Sequence, residues 1–368
     1  MEPIIKRNLT DPVKIEAEAA AIELATKHTD KVLTDYAARP ETFGGRYICS
    51  DNFKELMPGY AQSRESRSAL NSVVHNASAV LASEQFRRIV DRGPQPGHDT
   101  VVFVTGIPGA GKSSTVAASV AGSAAVVFEG QMSRPEPGMK KIEHALQKGF
   151  NVEIVVIHVA PEVALERTHD RYLDPKNGRG ASITVMSDIQ GNLPAGLLQI
   201  QERYERQVGL TVVENNPGEQ IFHNGWGAIP VLGKEGDRER IRERLTAALE
   251  AGCRDGRYSD GFYLQAAGRP RAHGLEAGVG QGDGEGQQAD GNRRSVSREN
   301  SGNDTLTSEQ RKANQMASAS GLMVAAAVMP QALNAYARGK QAAAGGESLI
   351  KPVATRSAEP PQGRGRGR

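Results

Sequence analysis

The sequence predicts an α/β fold in which a parallel sheet is covered by helices on both faces, followed by a disordered C-terminal tail. One observation predicts the sheet and a second predicts the tail. Short buried-strand runs alternate along the chain with segments of helical spacing, and this alternation is typical of parallel strands joined by crossover helices. The tail is predicted because Gly, Gln, Asp, Arg and Ser replace aliphatic residues in the last third of the 368-residue chain.

Residues 1–100 are predicted to form a helical segment that packs on the core. Asp11 before Pro12 is a helix start signal, and apolar residues then recur at helical spacing as far as Tyr36. The stretch RYICSDNF is a predicted short strand that ends in polar residues. A second run of helical spacing extends from Leu70 to Val90 and ends at a loop of Gly, Pro and Asp.

Residues 101–250 are the predicted core, in which strands and helices alternate. The predicted strands are VVFVTG, AAVVFEG, NVEIVVIHV and, as the last one, GLTVVENN. The predicted helices are a short one after Lys112, then EPGMKKIEHALQKG and PEVALERTHDRYL. This order favours a parallel sheet whose carboxyl-terminal edge holds the ligand.

The rest of the chain is predicted to contribute little to the core. Residues 251–305 are a predicted disordered linker, residues 306–345 include a predicted Ala-rich helix, and residues 346–368 are a predicted disordered basic tail. The local excess of Lys and Arg at the end is expected to be solvated.

Composition predicts a cytoplasmic protein without a membrane or nucleic-acid partner. The N-terminus has no apolar stretch of signal-peptide length, and the apolar run Gly321 to Met329 is too short to cross a bilayer. The net charge of +2 gives no reason to expect nucleic-acid binding. Cys49 and Cys253 lie far apart, which predicts neither a disulfide framework nor a cysteine metal site.

The segment GIPGAGKS matches the phosphate-loop motif G-x-x-x-x-G-K-[ST] at every fixed position, between a predicted strand and a predicted helix. Its glycines let backbone N–H groups face a β-phosphate. Lys112 is expected to bridge the β- and γ-phosphates, and the Ser113 hydroxyl is expected to join the shell of a Mg²⁺ ion. We therefore predict a P-loop kinase-like fold with an ATP (or GTP) and Mg²⁺ site at Gly106, Gly109, Ala110, Gly111, Lys112, Ser113 and Ser114.

Two carboxylates are candidates for acting on the phosphate acceptor. Glu129 ends the strand after the phosphate loop, where it can bind an acceptor hydroxyl or water of the metal shell; the alternative is a solvated turn residue. Asp51 follows the short strand in RYICSDNF and can accept the proton of an attacking hydroxyl. From composition alone, the favoured role of Asp51 is to cap the helix that begins at Asn52.

Arginines in LERTHDRYLDPKNGRGAS are candidates for stabilising the transferred phosphoryl group. Arg167, Arg171 and Arg179 lie on a predicted helix that continues into a polar loop. A mobile arginine can meet the charge on the γ-phosphate oxygens when such a loop closes. The alternative is a solvated helix face with ordinary salt bridges.

Several stretches resemble the zeta toxins, P-loop kinases of toxin–antitoxin systems that phosphorylate UDP-N-acetylglucosamine. They are the run from VVFEGQMS to VALER, the arginine of GRGAS, then SDIQGNLPAGLLQI and GLTVVENN. The resemblance extends from Tyr47 to Asn216. It implies that Lys112 and Ser113 bind nucleotide and Mg²⁺, that Glu129 binds substrate, and that Arg167 and Arg179 are the lid arginines. Where the family often has E-G-T, this chain has E-G-Q, with Gln131 as the changed residue.

The chain departs from the family in the position of one segment. In the zeta toxins a D-x-F-x-x-x-x-P segment bearing the catalytic base lies between the P-loop and the E-G strand, and too few residues separate them here. The stretch SDNFKELMP fits that pattern but comes before the P-loop. The resemblance therefore implies a permuted arrangement in which Asp51 ends a strand beside the P-loop strand and acts as the general base.

The leading interpretation is an ATP-dependent kinase that phosphorylates a hydroxyl of a nucleotide sugar such as UDP-N-acetylglucosamine. The resemblance also implies an antitoxin or other neutralising protein as a partner. A second interpretation is a P-loop switch or accessory protein of conjugation or secretion without kinase turnover, which the extended polar C-terminus favours. A third is a degenerate kinase that binds ATP and forms no product.

Overall fold

Six strands form one sheet in the computed structural model, which describes residues 1–113, 115 and 124–271. They are β1 Tyr47–Ile48, β2 Thr100–Thr105, β3 Ala124–Glu129, β4 Asn151–His158, β5 Val208–Asn216 and β6 Glu219–Asn224. Their order across the sheet is β1-β3-β2-β4-β5-β6. The first five strands are parallel, and β6 runs antiparallel to β5.

Eleven α-helices accompany these strands in the described part of the chain. They are α1 Pro12–Lys27, α2 Thr29–Ala37, α3 Ser50–Lys54, α4 Arg64–Leu70, α5 His75–Val90, α6 Glu136–Gln147, α7 Pro161–Leu173, α8 Ile183–Tyr204, α9 Ile229–Leu232, α10 Arg238–Arg254 and α11 Asp260–Ala267. None of them combines the length and the apolar character needed to cross a bilayer.

Helices cover both faces of the sheet, as the sequence predicts. Side chains alternate along each strand, so Phe103 of β2 enters the apolar cluster beneath α5 and α6, whereas Val104 enters the cluster beneath α7, α10 and α11. Both side chains are fully buried, as are most residues of β4. Burial on both faces explains why these strands are continuous apolar runs in the sequence.

The sequence-based element boundaries are correct in outline and wrong at several points. Asp11 caps α1 as predicted, since its Oδ1 accepts a hydrogen bond from the Val13 backbone N–H. The run from Leu70 to Val90 is not one helix, because α4 ends at Leu70 and α5 begins at His75. GLTVVENN is not the last strand. A tight turn with Gly218 at φ +84° returns the chain as β6, whose half-exposed residues give a weak apolar pattern.

The prediction of a disordered linker from residue 251 is wrong as far as residue 271. Residues 251–254 complete α10, and α11 follows after a short turn. Three aromatic side chains in this stretch, Tyr258, Phe262 and Tyr263, are buried against the core. Their burial offsets the flexibility of the surrounding glycines, which composition alone does not reveal.

Other predictions fall outside the described residues. Lys112, Ser113 and Thr115 are helical, but residues 116–123 of the predicted short helix are not described. The remainder of the predicted linker (272–305), the predicted Ala-rich helix (306–345) and the predicted basic tail (346–368) also lie outside the described residues.

One carboxyl is buried within the sheet and has a raised pKa. Glu153 lies in the middle of β4, 6% exposed, and its Oε1 accepts a 2.8 Å hydrogen bond from the Thr211 hydroxyl of β5. Its Oε2 is buried and has no hydrogen-bond partner among the described residues. Burial raises the pKa of Glu153 to about 7, because the charged form is poorly solvated there, although the Thr211 bond opposes the shift.

We expect Glu153→Gln to remove a pH dependence of stability. A carboxyl whose pKa is raised from 4.5 to about 7 on folding stabilises the fold fully below the lower value, and this stabilisation is lost as pH rises to the upper one. At about 1.4 kcal/mol per pH unit, the loss is about 3 kcal/mol. Urea unfolding at about pH 5 and about pH 8 should show wild type losing stability relative to the Gln variant. If the free energies of unfolding of wild type and the Gln variant changed equally between the two pH values, this expectation would be contradicted.

Candidate active site

Functional side chains from distant parts of the sequence meet at the carboxyl-terminal edge of the parallel strands. The phosphate loop follows β2, Glu129 ends β3, and Asp51 follows β1 in the first turn of α3. The helix α7 with its arginines follows β4. In open α/β sheets this edge is where ligands bind. The sheet therefore gathers the predicted catalytic and binding residues at one place.

The phosphate loop has a backbone that requires glycine. Gly106 has φ +143° and Gly109 has φ +83°, a region that side chains disfavour. A methyl group on Gly106 would also strike the carbonyl oxygen of Ile157 in β4, and one on Gly109 would strike that of Ala164 in α7. The loop is thus packed closely against β4 and α7.

Lys112 of this loop forms an ion pair with Glu129 at the end of β3. The Lys112 Nζ lies 3.3 Å from Glu129 Oε1 and donates to the carbonyl oxygens of Gly106 and Ile107 at 3.1 and 3.0 Å. The hydroxyl of Tyr47 donates to the other Glu129 oxygen, Oε2, at 2.7 Å. Burial and the neighbouring Glu129 charge hold the pKa of Tyr47 well above its usual value, so its hydroxyl stays a donor.

Tyr47 also contacts the side chain of Ser113, the predicted Mg²⁺-binding hydroxyl. A hydroxyl and a carboxylate are hard oxygen donors of the kind that Mg²⁺ prefers. Among the described residues no cluster of three or more His, Cys, Asp or Glu side chains could hold a metal ion. This donor set fits a Mg²⁺ ion bound chiefly by nucleotide phosphates, with Ser113 as a protein ligand. Ser114, also predicted to bind nucleotide, lies outside the described residues.

Asp51 does not cap a helix. The helix α3 begins at Ser50, and its N-cap residue Cys49 makes no side-chain cap bond. The Asp51 carboxylate instead lies 2.8 Å from Lys54 Nζ and 3.4 Å from Arg179 Nη1, and it stays 40% exposed. Burial opposes ionisation, but the charges of Lys54 and Arg179 outweigh it and hold the pKa of Asp51 well below its usual range.

The prediction that Asp51 ends a strand beside the P-loop strand is wrong in one respect. The strand β1 pairs with β3, and β3 lies between β1 and the P-loop strand β2. A strand can pair only with a neighbour that has a free edge. Because β2 is already paired with β3 on one side and β4 on the other, the two-residue strand β1 pairs with β3. Asp51 nevertheless reaches the edge where Glu129 and the phosphate loop lie.

The three candidate arginines have different surroundings. Arg179 contacts Asp51 and reaches the Tyr60 hydroxyl at 3.4 Å, and burial raises the pKa of Tyr60 to about 12. Arg171 is held against the loop by donating to the Arg179 carbonyl oxygen at 3.1 Å. Arg167 donates to the carbonyl oxygens of Ala110 and Asn215, on the phosphate-loop side. Burial lowers the pKa of both Arg167 and Arg171, which remain cations.

A tyrosine from the N-terminal helices holds the segment that carries Asp51. The Tyr36 hydroxyl donates to the Tyr47 carbonyl oxygen at 2.8 Å and accepts from the Cys49 backbone N–H at 3.0 Å. Its ring stacks on Phe53 of α3 with centroids 3.7 Å apart. Because β1 is an edge strand, these bonds satisfy backbone groups that a further strand would otherwise pair. The N-terminal helices therefore complete the site and do not merely cover the core.

Sequence reasoning missed Tyr47, Tyr36 and Lys54 as members of this site. No motif marks them, because each acts through a contact with a residue far away in sequence or through burial. Lys54 lies in the stretch SDNFKELMP, but only the structure shows that it is buried beside Asp51. A buried lysine needs a nearby carboxylate, and that requirement is the one signal that could have linked the two residues.

We expect Tyr36→Phe to destabilise the fold by about 1 to 3 kcal/mol, because the Tyr47 carbonyl and the Cys49 N–H would each lose a buried hydrogen bond. Urea unfolding measures the change. The matched control is Tyr204→Phe, since the Tyr204 hydroxyl is buried without a partner among the described residues. That variant should match wild type. Equal effects of the two substitutions would contradict a role for the Tyr36 hydrogen bonds.

Comparisons with known proteins bear on the region after the phosphate loop. Residues 120–226 match a family model described as Zeta toxin. No curated protein matches the sequence. A solved chain described under the PezAT chromosomal toxin–antitoxin system of Streptococcus pneumoniae is 13% identical, with a TM-score of 0.32. The match covers 66% of this chain and 98% of that chain.

The similarity to a known family therefore rests on the match over residues 120–226 alone. The matched residues contain Glu129, Arg167 and Arg179 together with β3, β4 and β5. Asp51 and the phosphate loop precede the matched residues, and the roles of all the site residues remain predictions. Residues 120–226 are therefore similar to the zeta toxin family.

Proposed function

We propose that the chain is a P-loop kinase that transfers the γ-phosphoryl group of ATP or GTP to a hydroxyl of a nucleotide sugar such as UDP-N-acetylglucosamine. One observation carries the proposal: Lys112 of the phosphate loop is paired with Glu129 at the same sheet edge where Arg179 meets Asp51. A phosphate cradle, two carboxylates and lid arginines are the parts that phosphoryl transfer to an alcohol requires. The zeta toxin match over residues 120–226 agrees with it.

The phosphate loop and Lys112 would hold the nucleotide. Backbone N–H groups of the loop surround the β-phosphate, and Lys112 exchanges the carbonyls of Gly106 and Ile107 for phosphate oxygens. The Ser113 hydroxyl would help to hold a Mg²⁺ ion, which when bound would neutralise part of the phosphate charge. Arg167, which already contacts the loop at Ala110, lies on the side from which it can meet the phosphates.

Glu129 would orient the acceptor. Its Oε1 is paired with Lys112 and its Oε2 with the Tyr47 hydroxyl. When Lys112 turns to the phosphates, Oε1 is released to accept a hydrogen bond from an acceptor hydroxyl, while Tyr47 keeps the carboxylate in place. Binding of nucleotide would thus prepare the binding of acceptor through a single side chain.

Asp51 would accept the proton in the transfer step. The acceptor oxygen forms a bond to the γ-phosphorus, the bond to the β–γ bridging oxygen breaks, the nucleoside diphosphate leaves, and the hydroxyl proton passes to Asp51. Its lowered pKa makes Asp51 a weak base, which suits a loose transition state in which the hydroxyl keeps its proton until late. Arg179, in contact with Asp51, can stabilise the charge on the γ-phosphate oxygens.

This activity would act in the cytoplasm on a precursor of the cell wall and would require a neutralising antitoxin as a partner. The alternative of a P-loop switch without turnover shares the nucleotide site but has no use for Asp51, Glu129 and Arg179 as a group. Their assembly at one edge favours the kinase. Consumption of ATP that depends on an acceptor separates the two functions.

We expect purified protein with Mg²⁺-ATP to add one phosphate to UDP-N-acetylglucosamine, and Lys112→Ala to abolish the product. The reason is that no other side chain of the phosphate loop supplies the charge that Lys112 brings to the β- and γ-phosphates. Mass spectrometry of the nucleotide sugar detects the product. Lys27→Ala, which removes an exposed lysine paired with Glu23 on α1, is the matched control and should keep full activity.

ATP binding without a phosphorylated sugar would refute the nucleotide-sugar substrate. A panel of other hydroxyl acceptors then separates a kinase for a different acceptor from a switch, since only the kinase consumes ATP in response to one of them.

We expect Asp51→Asn to lower kcat by at least about 100-fold, because an amide cannot take the proton of the acceptor. Nucleotide affinity should stay within a few-fold of wild type, since the ion-pair partners of Asp51 among the described residues are Lys54 and Arg179. Steady-state kinetics and nucleotide titration measure the two quantities. The matched control is Asp91→Asn, which removes a carboxylate that is ion-paired with Arg87 and Lys148. Lys148 lies just before β4 begins, away from the carboxyl-terminal edge, so this variant should leave kcat unchanged. Unchanged turnover in Asp51→Asn would exclude Asp51 as the base.

A further inference from the structure

The last described helix, α11, packs against the loop that presents Arg179. This loop comprises residues 174–182, between α7 and α8, and we call it the arginine loop. Phe262 of α11 is fully buried, with its ring centroid 4.8 Å from that of His169 and 5.5 Å from that of Tyr172, both on α7. The helix is therefore anchored to the same element that carries Arg167 and Arg171.

One side chain of α11 joins the arginine loop to the N-terminal helices. The Gln265 Oε1 accepts a hydrogen bond from the backbone N–H of Gly180, and its Nε2 donates to the Ser68 hydroxyl of α4 at 2.7 Å. The Phe262 ring also lies against Gly180, where a side chain would meet it. Gln265 thus bridges two segments on opposite sides of the phosphate loop in sequence.

The bond to Gly180 completes the fixation of the arginine loop. Arg171 already donates to the carbonyl oxygen of Arg179 at 3.1 Å. The peptide unit between Arg179 and Gly180 is consequently held at its carbonyl by Arg171 and at its N–H by Gln265. With this peptide held, the Arg179 guanidinium is directed to Asp51 and Tyr60.

We propose that Gln265 is a positioning residue that holds the arginine loop so that Arg179 meets Asp51 in the catalytic site. The catalytic unit then extends beyond the residues 120–226 that match the zeta toxin family and includes α11. The kinetic consequence of this proposal rests on the proposed kinase function, whereas the holding of the loop does not.

The chemistry explains why a glutamine serves here. The Gly180 N–H needs an acceptor, the Ser68 hydroxyl can take a donor, and an uncharged amide offers both without adding a carboxylate to the Asp51–Arg179 pair. A glutamate would still accept from Gly180 and could accept from the Ser68 hydroxyl, so it preserves the contact that matters. An alanine removes both bonds and leaves the packing of Phe262 unchanged.

Hydrogen exchange of the full chain tests the structural part directly. In Gln265→Ala we expect amide exchange over the arginine loop to become at least about tenfold faster, and in Gln265→Glu to stay near the wild-type rate. Gln201→Ala, which removes a partly buried helical glutamine bonded to Glu205, is the matched control and should change nothing in this loop. Unaltered exchange in Gln265→Ala would overturn the proposal, whether or not the chain proves to be a kinase.

Kinetics with Mg²⁺-ATP and the acceptor test the consequence. We expect Gln265→Ala to lower kcat by about 10- to 100-fold, as a misplaced catalytic group does, with little change in the KM for nucleotide. Gln265→Glu should restore kcat. In an Arg179→Lys background the same alanine substitution should have a clearly smaller effect, because Gln265 acts through Arg179.

Equal losses of kcat in the wild-type and Arg179→Lys backgrounds would overturn the positioning role, as would a rise in nucleotide KM without loss of kcat. Absence of phosphoryl transfer by wild type would instead refute the proposed function, and the exchange experiment would still decide whether Gln265 holds the loop.

Discussion

The contact between Asp51 and Arg179 is the interaction on which the candidate site depends. It joins a residue that precedes the phosphate loop to one that follows it, at 3.4 Å. A carboxylate surrounded by Lys54, Arg171 and Arg179 is stable only as an anion, and the cations in turn need that anion because they are partly desolvated. Mutual charge compensation therefore fixes the N-terminal segment and the arginine loop relative to each other across the sheet edge.

Chain order has little influence on this assembly. A parallel strand needs only the right direction and an open edge, so β1 joins the sheet beside β3 although it comes first in sequence. The outer side of so short a strand would leave backbone groups unpaired. The Tyr36 hydroxyl takes two of them, and its stacking on Phe53 anchors α3. Tyr36 of the N-terminal helices therefore supplies hydrogen bonds to β1 that another strand would supply in a larger sheet.

The sequence was sufficient to predict the features that depend on local pattern. Continuous apolar runs predicted the parallel strands, and the glycine spacing predicted the phosphate loop, because each results from constraints within a few residues. Tyr47, Tyr36 and Gln265 could not be predicted, since their roles come from partners far away in sequence. Composition failed after Arg254 for a related reason: a few buried aromatic residues outweigh many glycines, and composition averages over both.

Positive charges outnumber negative charges at the sheet edge, although the sequence as a whole has a net charge of only +2. Five cationic side chains and two carboxylates converge there: Lys54, Lys112, Arg167, Arg171 and Arg179, with Asp51 and Glu129. This local excess exceeds the formal net charge of +2 for the entire sequence, so the remainder of the protein is close to neutral. Such a concentration of positive charge attracts a polyanion to this edge. A nucleoside triphosphate and a nucleoside diphosphate sugar, the ligands of the proposed kinase, are both polyanions, and the two carboxylates offset part of the positive charge at this edge.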